Sequence, residues 1–113
     1  MINIIKPLLS LNYSSQATNS IKKAVELICE DKNAEAIRIL DTVGARAKPQ
    51  YGHEIISAVV FYYKGYAEKN LGNYDSARFY LELVEKIPSW KVIFGKDTLN
   101  DIKEEARMLK YKL

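Results

Sequence analysis

Apolar residues recur along most of the chain at spacings of three, four and seven, a pattern typical of amphipathic α-helices. Residues 15–30 carry a first set of such positions: Ile21, Ala24, Val25, Leu27 and Ile28. A polar turn at residues 31–33 then precedes "AEAIRILDTV", where one helical face holds Ala36, Ile39, Leu40 and Val43. We therefore predict two helices joined as a hairpin, the second ending within residues 44–49.

A second hairpin follows with the same pattern. The segment "EIISAVVFYYKGYAEKN" predicts a long helix, and Gly72 suits the left-handed conformation that often ends one. The next segment, "YDSARFYLELVEKI", repeats the earlier offsets with Ala77, Tyr80, Leu81 and Val84. The two hairpins are therefore interpreted as copies of one unit.

The two ends of the chain have different apolar patterns. Near the C-terminus a narrow stripe predicts a capping helix: Leu99, Ile102, Ala106, Leu109 and Leu113. Residues 1–14 form an apolar segment in which Pro7 discourages a long helix. We expect this segment to dock on the first hairpin of its own chain or on a second copy, and we favour a homodimer.

The predicted fold is all-α, because only the ambiguous "MINIIKPLL" could read as a strand. Its predicted parts are the apolar segment 1–14, two helical hairpins in 15–88, and a linker with the capping helix in 89–113.

The stretch "FYYKGYAEKNLGNYDSARFYLELVEKIP" resembles a tetratricopeptide repeat, a helix-turn-helix unit of about 34 residues. Gly65 stands where the family keeps a small residue, and Ala77 and Leu81 match its small and bulky contacts. The first copy is weaker, with Asp31 in place of the turn glycine, and Ala36 and Ala77 lie 41 positions apart (77 − 36). The resemblance implies a short TPR-like array of hairpins. The alternative is a plain helical bundle with coincidental spacing.

Composition narrows the function classes. The 113 residues suit one domain, and a net charge of +3 is too small to indicate a nucleic-acid protein. Cys29 is the only cysteine, which excludes an intrachain disulfide and a cysteine zinc site, and we expect it to be buried. Lys6 and Pro7 interrupt the N-terminal apolar run, so we predict no signal peptide, no membrane insertion and a cytoplasmic protein.

Catalytic chemistry has little support in the sequence. His53 is the only histidine, and no glycine-rich phosphate loop follows a strand. The basic residues Lys103, Arg107, Lys110 and Lys112 alternate with acidic ones, which favours a solvated helix face over a nucleic-acid site. We predict a protein that is not an enzyme and has no cofactor, no metal and no nucleic-acid partner.

Tyrosines concentrate in "VVFYYKGY". By the family resemblance, the first helix of each repeat lines a concave groove that binds a partner. The residues it implies are Val59, Tyr62, Tyr63, Tyr66, Lys69 and Asn70, with Lys22 and Val25 on the first repeat. The alternative is that these tyrosines fill the space between packed helices.

We expect an adaptor that binds a peptide segment or a partner helix in this groove. A small dedicated chaperone or assembly factor for one client, or a self-assembling structural protein, are the alternatives.

Overall fold

The computed structural model describes residues 15–46, 54–92 and 95–113, which are helical apart from short connections. The helices are α1 (Ser15–Cys29), α2 (Asn33–Arg46), α3 (Glu54–Asn70), α4 (Tyr74–Lys86), a short 3-10 helix (Ser89–Lys91) and α5 (Lys96–Tyr111). No β-strand occurs in these residues, so the predicted all-α fold is confirmed. The N-terminal segment 1–14, Pro49 and His53 lie outside the described residues.

Helices that follow one another in the chain pack side by side, so α1 with α2 and α3 with α4 form the two predicted hairpins. The first helix of the second hairpin, α3, occupies the segment predicted for it. The second helix of the first hairpin, α2, ends at Arg46, within the predicted range of residues 44–49.

The central element is α3, which contacts each of the other α-helices described. Nine of its residues are buried, on more than one side of the helix. The last helix, α5, packs across both α3 and α4, as expected for a capping helix. Its apolar stripe faces the interior, with Leu99, Ile102, Ala106 and Leu109 buried and Leu113 partly buried against the core.

The turn that closes the first hairpin has a defined hydrogen-bond pattern. The backbone N–H of Lys32 donates to the carbonyl of Leu27 at 2.8 Å, and that of Asp31 donates to the carbonyl of Ile28 at 3.0 Å. Asp31 itself is left-handed, with a φ of 61°. These features define a Schellman motif, which satisfies carbonyl groups that a helix end would otherwise leave unpaired.

The second hairpin has the same turn, 41 residues later. The N–H of Asn73 donates to the carbonyl of Glu68 at 2.9 Å, and that of Gly72 donates to the carbonyl of Lys69 at 3.0 Å. Gly72 has a φ of 81°, a conformation that glycine adopts without steric cost. The two hairpins therefore repeat in backbone geometry at the position where their sequences differ, aspartate against glycine.

A small residue allows the helices of the second hairpin to approach closely. A Cβ atom placed on Gly65 would lie 3.2 Å from the carbonyl oxygen of Ala77 and against the side chain of Leu81. Ala24 and Ala36, the matching residues 41 positions earlier, are both fully buried. Small residues are thus buried at the matching positions of both hairpins.

Asn33 joins the two hairpins near their turns. Its side-chain oxygen accepts a hydrogen bond from the Asn70 amide at 3.0 Å, and its own amide donates to the Asp31 carboxylate at 3.0 Å. Only 2% of Asn33 is exposed. A buried amide needs such partners, because burying it unpaired costs free energy. The first hairpin turn is therefore held against the end of α3.

Candidate functional site

The tyrosine-rich face of α3 is mostly interior. Val59, Tyr62 and Tyr63 are buried, although the family resemblance implied that they line a groove. The Tyr62 ring lies 5.2 Å from the Tyr63 ring in an edge-on arrangement and 6.3 Å from the Tyr66 ring. The carboxylate of Glu105 on α5 lies near Tyr62, so α5 packs over this side of α3 and the buried rings fill space between the two helices. For Tyr62 and Tyr63 the structure thus places the rings in the core instead of in an open groove.

Burial also changes the chemistry of Tyr62. Loss of hydration raises the pKa of its phenol far above the ordinary value, and the nearby Glu105 carboxylate on α5 raises it further. The phenol is therefore neutral at physiological pH. It acts as a packed aromatic ring with a polar tip, and has none of the properties of an activated base.

The other residues predicted to bind a partner stay at least partly accessible. Lys22 and Asn70 are exposed, whereas Val25, Tyr66 and Lys69 are intermediate. The Lys69 ammonium lies 5.4 Å from the centre of the Tyr66 ring, and Asn70 already donates to Asn33. The polar groups of this remaining surface are partly engaged within the chain. Its role in binding stays a prediction.

Cys29 is exposed, so the prediction that it is buried is wrong. It is the last residue of α1, and the two residues before it, Leu27 and Ile28, both face the core. The next position on the helix, Cys29, faces solvent.

Within the described residues, no three His, Cys, Asp or Glu side chains come together as metal ligands would. The described helices also include none with the length and apolar character that crossing a bilayer requires.

The opposite face of α3 is partly buried and carries one aromatic ring, that of Phe61. Ser57, Phe61, Lys64 and Glu68 follow one another at offsets of four, seven and eleven, and all four are of intermediate exposure. Phe61 stacks on Tyr80 of α4, with ring centres 6.4 Å apart and planes 19° apart. Tyr80 in turn meets Phe79 edge-on at 5.4 Å. We call Phe61, Lys64, Phe79 and Tyr80 the aromatic surface.

Lys64 holds the aromatic surface in place. Its ammonium pairs with the Asp41 carboxylate of α2 and lies 4.8 Å from the centre of the Tyr80 ring. Only 13% of the Lys64 side chain is exposed. One cation thus links α2, α3 and α4 through an ion pair and a cation–π contact. The surface around it is pre-organised, because its charge and its central ring are engaged within the chain.

Phe79 completes this surface on the solvent side. It is 57% exposed, while its neighbours Phe61 and Tyr80 are half-buried. A single exposed apolar residue is common on a soluble protein, but three linked rings make a continuous apolar area. The sequence did not indicate this surface, since the spacing of Phe61 and Tyr80 equally suits core positions.

Comparison with known proteins identifies no family. No protein-family model, no curated protein and no solved structure matches this chain. The resemblance to tetratricopeptide repeats therefore depends on the residues of the hairpins alone.

Proposed function

We propose that this protein is a non-catalytic adaptor, a short TPR-like array that binds a helix of a partner protein on the aromatic surface. The observation that carries the proposal is the set of three linked rings, which ends in the 57% exposed Phe79. Aromatic residues dominate the energetically important positions of protein interfaces, since they bury a large area with few rotatable bonds. A cytoplasmic location is part of the same proposal.

The repeat assignment is supported by the matched hairpin turns. Both turns use a left-handed residue and the same pair of backbone hydrogen bonds, 41 residues apart. Gly65 packs against Ala77 and Leu81, the contact that the family resemblance assigns to it. A duplicated helical hairpin is the unit from which interaction scaffolds of this kind are built.

A helix is the occupant that the dimensions favour. The partly buried face of α3 runs from Ser57 to Glu68, eleven positions or about 16 Å, which is about three helical turns. The cation on this face is already paired with Asp41, so the area left to a partner is the ring surface. An apolar helix face with residues at spacings of three and four meets these requirements.

A photo-crosslinking residue in place of Phe79 tests this proposal. The crosslinked segment would be identified by mass spectrometry, and a synthetic peptide of that segment would then be titrated against the purified protein. We expect Phe79→Ala to weaken binding by about tenfold, as for a central aromatic contact worth above 1 kcal/mol. Tyr74→Ala is the matched control, because Tyr74 is on the same helix and is 52% exposed. Equal losses from both variants, or a crosslinked segment that cannot form an amphipathic helix, would exclude the proposal.

The alternatives of a dedicated chaperone and a self-assembling protein use the same type of surface. A homodimer would cover the apolar areas with a second copy, and light scattering on the full chain measures this directly. A chain starting at residue 14 tests whether the apolar segment 1–14 is needed. A monomer in both cases would exclude self-assembly and leave the adaptor and the single-client chaperone, which differ in whether the partner aggregates alone.

A further inference from the structure

The cleft between α4 and α5 is a second surface, and it differs in character from the aromatic surface. It has a volume of about 350 Å³ and is lined by Glu85, Lys103 and Arg107. This volume is at the small end of the range for ligand sites, so it suits side chains of a short segment better than a whole helix. None of its lining residues belongs to the aromatic surface.

Positive charge is in excess in this cleft. Lys110 donates to one carboxylate oxygen of Glu85 at 3.0 Å. Lys103 and Arg107 form no ion pair or hydrogen bond within the described part of the chain. Three cations thus stand beside one carboxylate, and two of the cations have no anionic partner. A carboxylate entering the cleft would meet both of them, and Arg107 could bind it with two parallel N–H groups.

The same helix face continues to an aromatic ring. Lys103, Arg107 and Tyr111 follow at offsets of four and eight, which places them on one side of α5 about 12 Å from end to end. Tyr111 is 82% exposed. The stripe therefore offers two cations followed by an apolar ring. An extended peptide spans that distance with about four residues.

We infer that this cleft and the adjoining Tyr111 ring bind an acidic peptide segment in which carboxylate side chains are followed or preceded by an apolar residue. The carboxylates pair with Lys103 and Arg107, and the apolar side chain packs on the ring of Tyr111.

The surrounding charges disfavour a nucleic acid as the ligand. Asp101 and Glu104 are exposed on the same helix, and Glu85 lies in the cleft itself. A continuous phosphate backbone would be repelled by these carboxylates, and two free cations are too few to hold it at physiological salt. A peptide presents its charges at separate positions, so it can place them away from these carboxylates.

The test uses the full chain and fluorescein-labelled peptides blocked at both ends. Two acidic peptides are used, one with two glutamates followed by a phenylalanine and one with the phenylalanine first. Each has a control peptide with glutamines in place of the glutamates. We expect the acidic peptide to bind in fluorescence anisotropy and the glutamine peptide to bind about tenfold more weakly, as for lost charge-assisted hydrogen bonds. The difference should shrink as salt is added.

Variants assign the binding to the cleft. Lys103→Gln with Arg107→Gln should weaken the acidic peptide about tenfold, whereas Lys23→Gln with Arg38→Gln changes the net charge equally at exposed positions of α1 and α2 and should have little effect. Tyr111→Ala should weaken the peptide with phenylalanine and leave one with alanine unchanged. Circular dichroism checks that each variant keeps its helices.

Three outcomes would overturn the inference: no binding of the acidic peptide at millimolar concentration, equal losses from the two lysine-containing pairs of substitutions, or tighter binding of a short single-stranded oligonucleotide through the same residues. These outcomes leave the proposal for the aromatic surface untouched, because that proposal depends on Phe79.

Discussion

Gly65 of α3 lies so close to Leu81 of α4 that a Cβ atom on Gly65 would be 2.9 Å from both Cγ and Cδ2 of Leu81. Such an atom would also lie 3.2 Å from the carbonyl oxygen of Ala77, which belongs to the backbone of α4 and moves only with that helix. The close approach of the two helices in the second hairpin therefore depends on the absence of a side chain at this position.

Gly65→Ala should accordingly destabilise the protein. Alanine favours a helix over glycine by about 1 kcal/mol, but overpacking of a tight core contact costs about 1 to 3 kcal/mol. We expect a net loss in the free energy of unfolding, measured by urea titration followed by circular dichroism. In the background of Leu81→Ala the same substitution should cost less, because the clashing atoms are gone. Equal costs in both backgrounds would show that the two residues do not press on each other.

Gly72→Ala should also destabilise the protein, for a different reason. A Cβ atom on Gly72 would meet nothing within 4 Å, so the cost comes only from its left-handed backbone, with a φ of 81°. Left-handed alanine costs roughly 1 to 2 kcal/mol, and asparagine tolerates this conformation better. The urea midpoint should therefore fall in the order glycine, asparagine, alanine at this position. An alanine variant as stable as the parent would contradict the Schellman turn.

Asn70→Ala should cost more stability than Asn33→Ala. The first substitution leaves the buried side-chain oxygen of Asn33 without its donor, whereas the second removes the buried amide and leaves only the exposed side chains of Asp31 and Asn70. Leaving a buried polar group unpaired costs about 1 to 3 kcal/mol, and exposed groups can bond to water instead. The thermal midpoints of the two variants provide the comparison. The reverse order would mean that the Asn33 oxygen does not depend on Asn70 for its hydrogen bond.

Tyr62 should make the protein less stable in alkali. An unfolded tyrosine loses its proton near pH 10, whereas burial raises the pKa of folded Tyr62 above that. Above about pH 10, unfolding therefore releases a proton from this group, and the free energy of unfolding falls as the pH rises further. Below that pH the group is protonated in both states, so its titration does not change the stability. Urea titrations at neutral pH and above pH 10 measure the loss. The loss of stability at high pH should be smaller in the Tyr62→Phe variant. It should be unchanged in the Tyr74→Phe variant, because the Tyr74 ring is exposed.

The helices could be predicted from local pattern because each has a strong amphipathic or turn signal. The end of α3 was predicted from Gly72 and the apolar run before it, and α5 was predicted from the stripe between Leu99 and Leu109. Gly95, which is left-handed and precedes α5, carried no such signal, since a single glycine is compatible with many loops. The short 3-10 helix at Ser89–Lys91 was missed because it has too few residues to show a period.

The accessible side of α3 was not predicted, because aromatic residues lie on both sides of this helix. Tyr62 and Phe61 are adjacent in sequence, yet Tyr62 is 2% exposed while Phe61 is only partly buried. The difference is made by α5, which begins 26 residues after the end of α3 (96 − 70) and packs across it. Spacing within one helix contains no information about which side a distant helix will cover. The binding face was therefore implied only by resemblance.

The central position of α3 has a consequence for how the chain unfolds. Longer repeat proteins can lose one repeat at a time, because each repeat touches only its neighbours. Here α3 contacts α1, α2, α4 and α5. Opening the first hairpin therefore removes contacts of α3, on which the second hairpin depends, and opening the second hairpin removes contacts of the first. Global unfolding should thus be all-or-none. The backbone amides of α3 should exchange with deuterium most slowly, and only when the whole molecule opens.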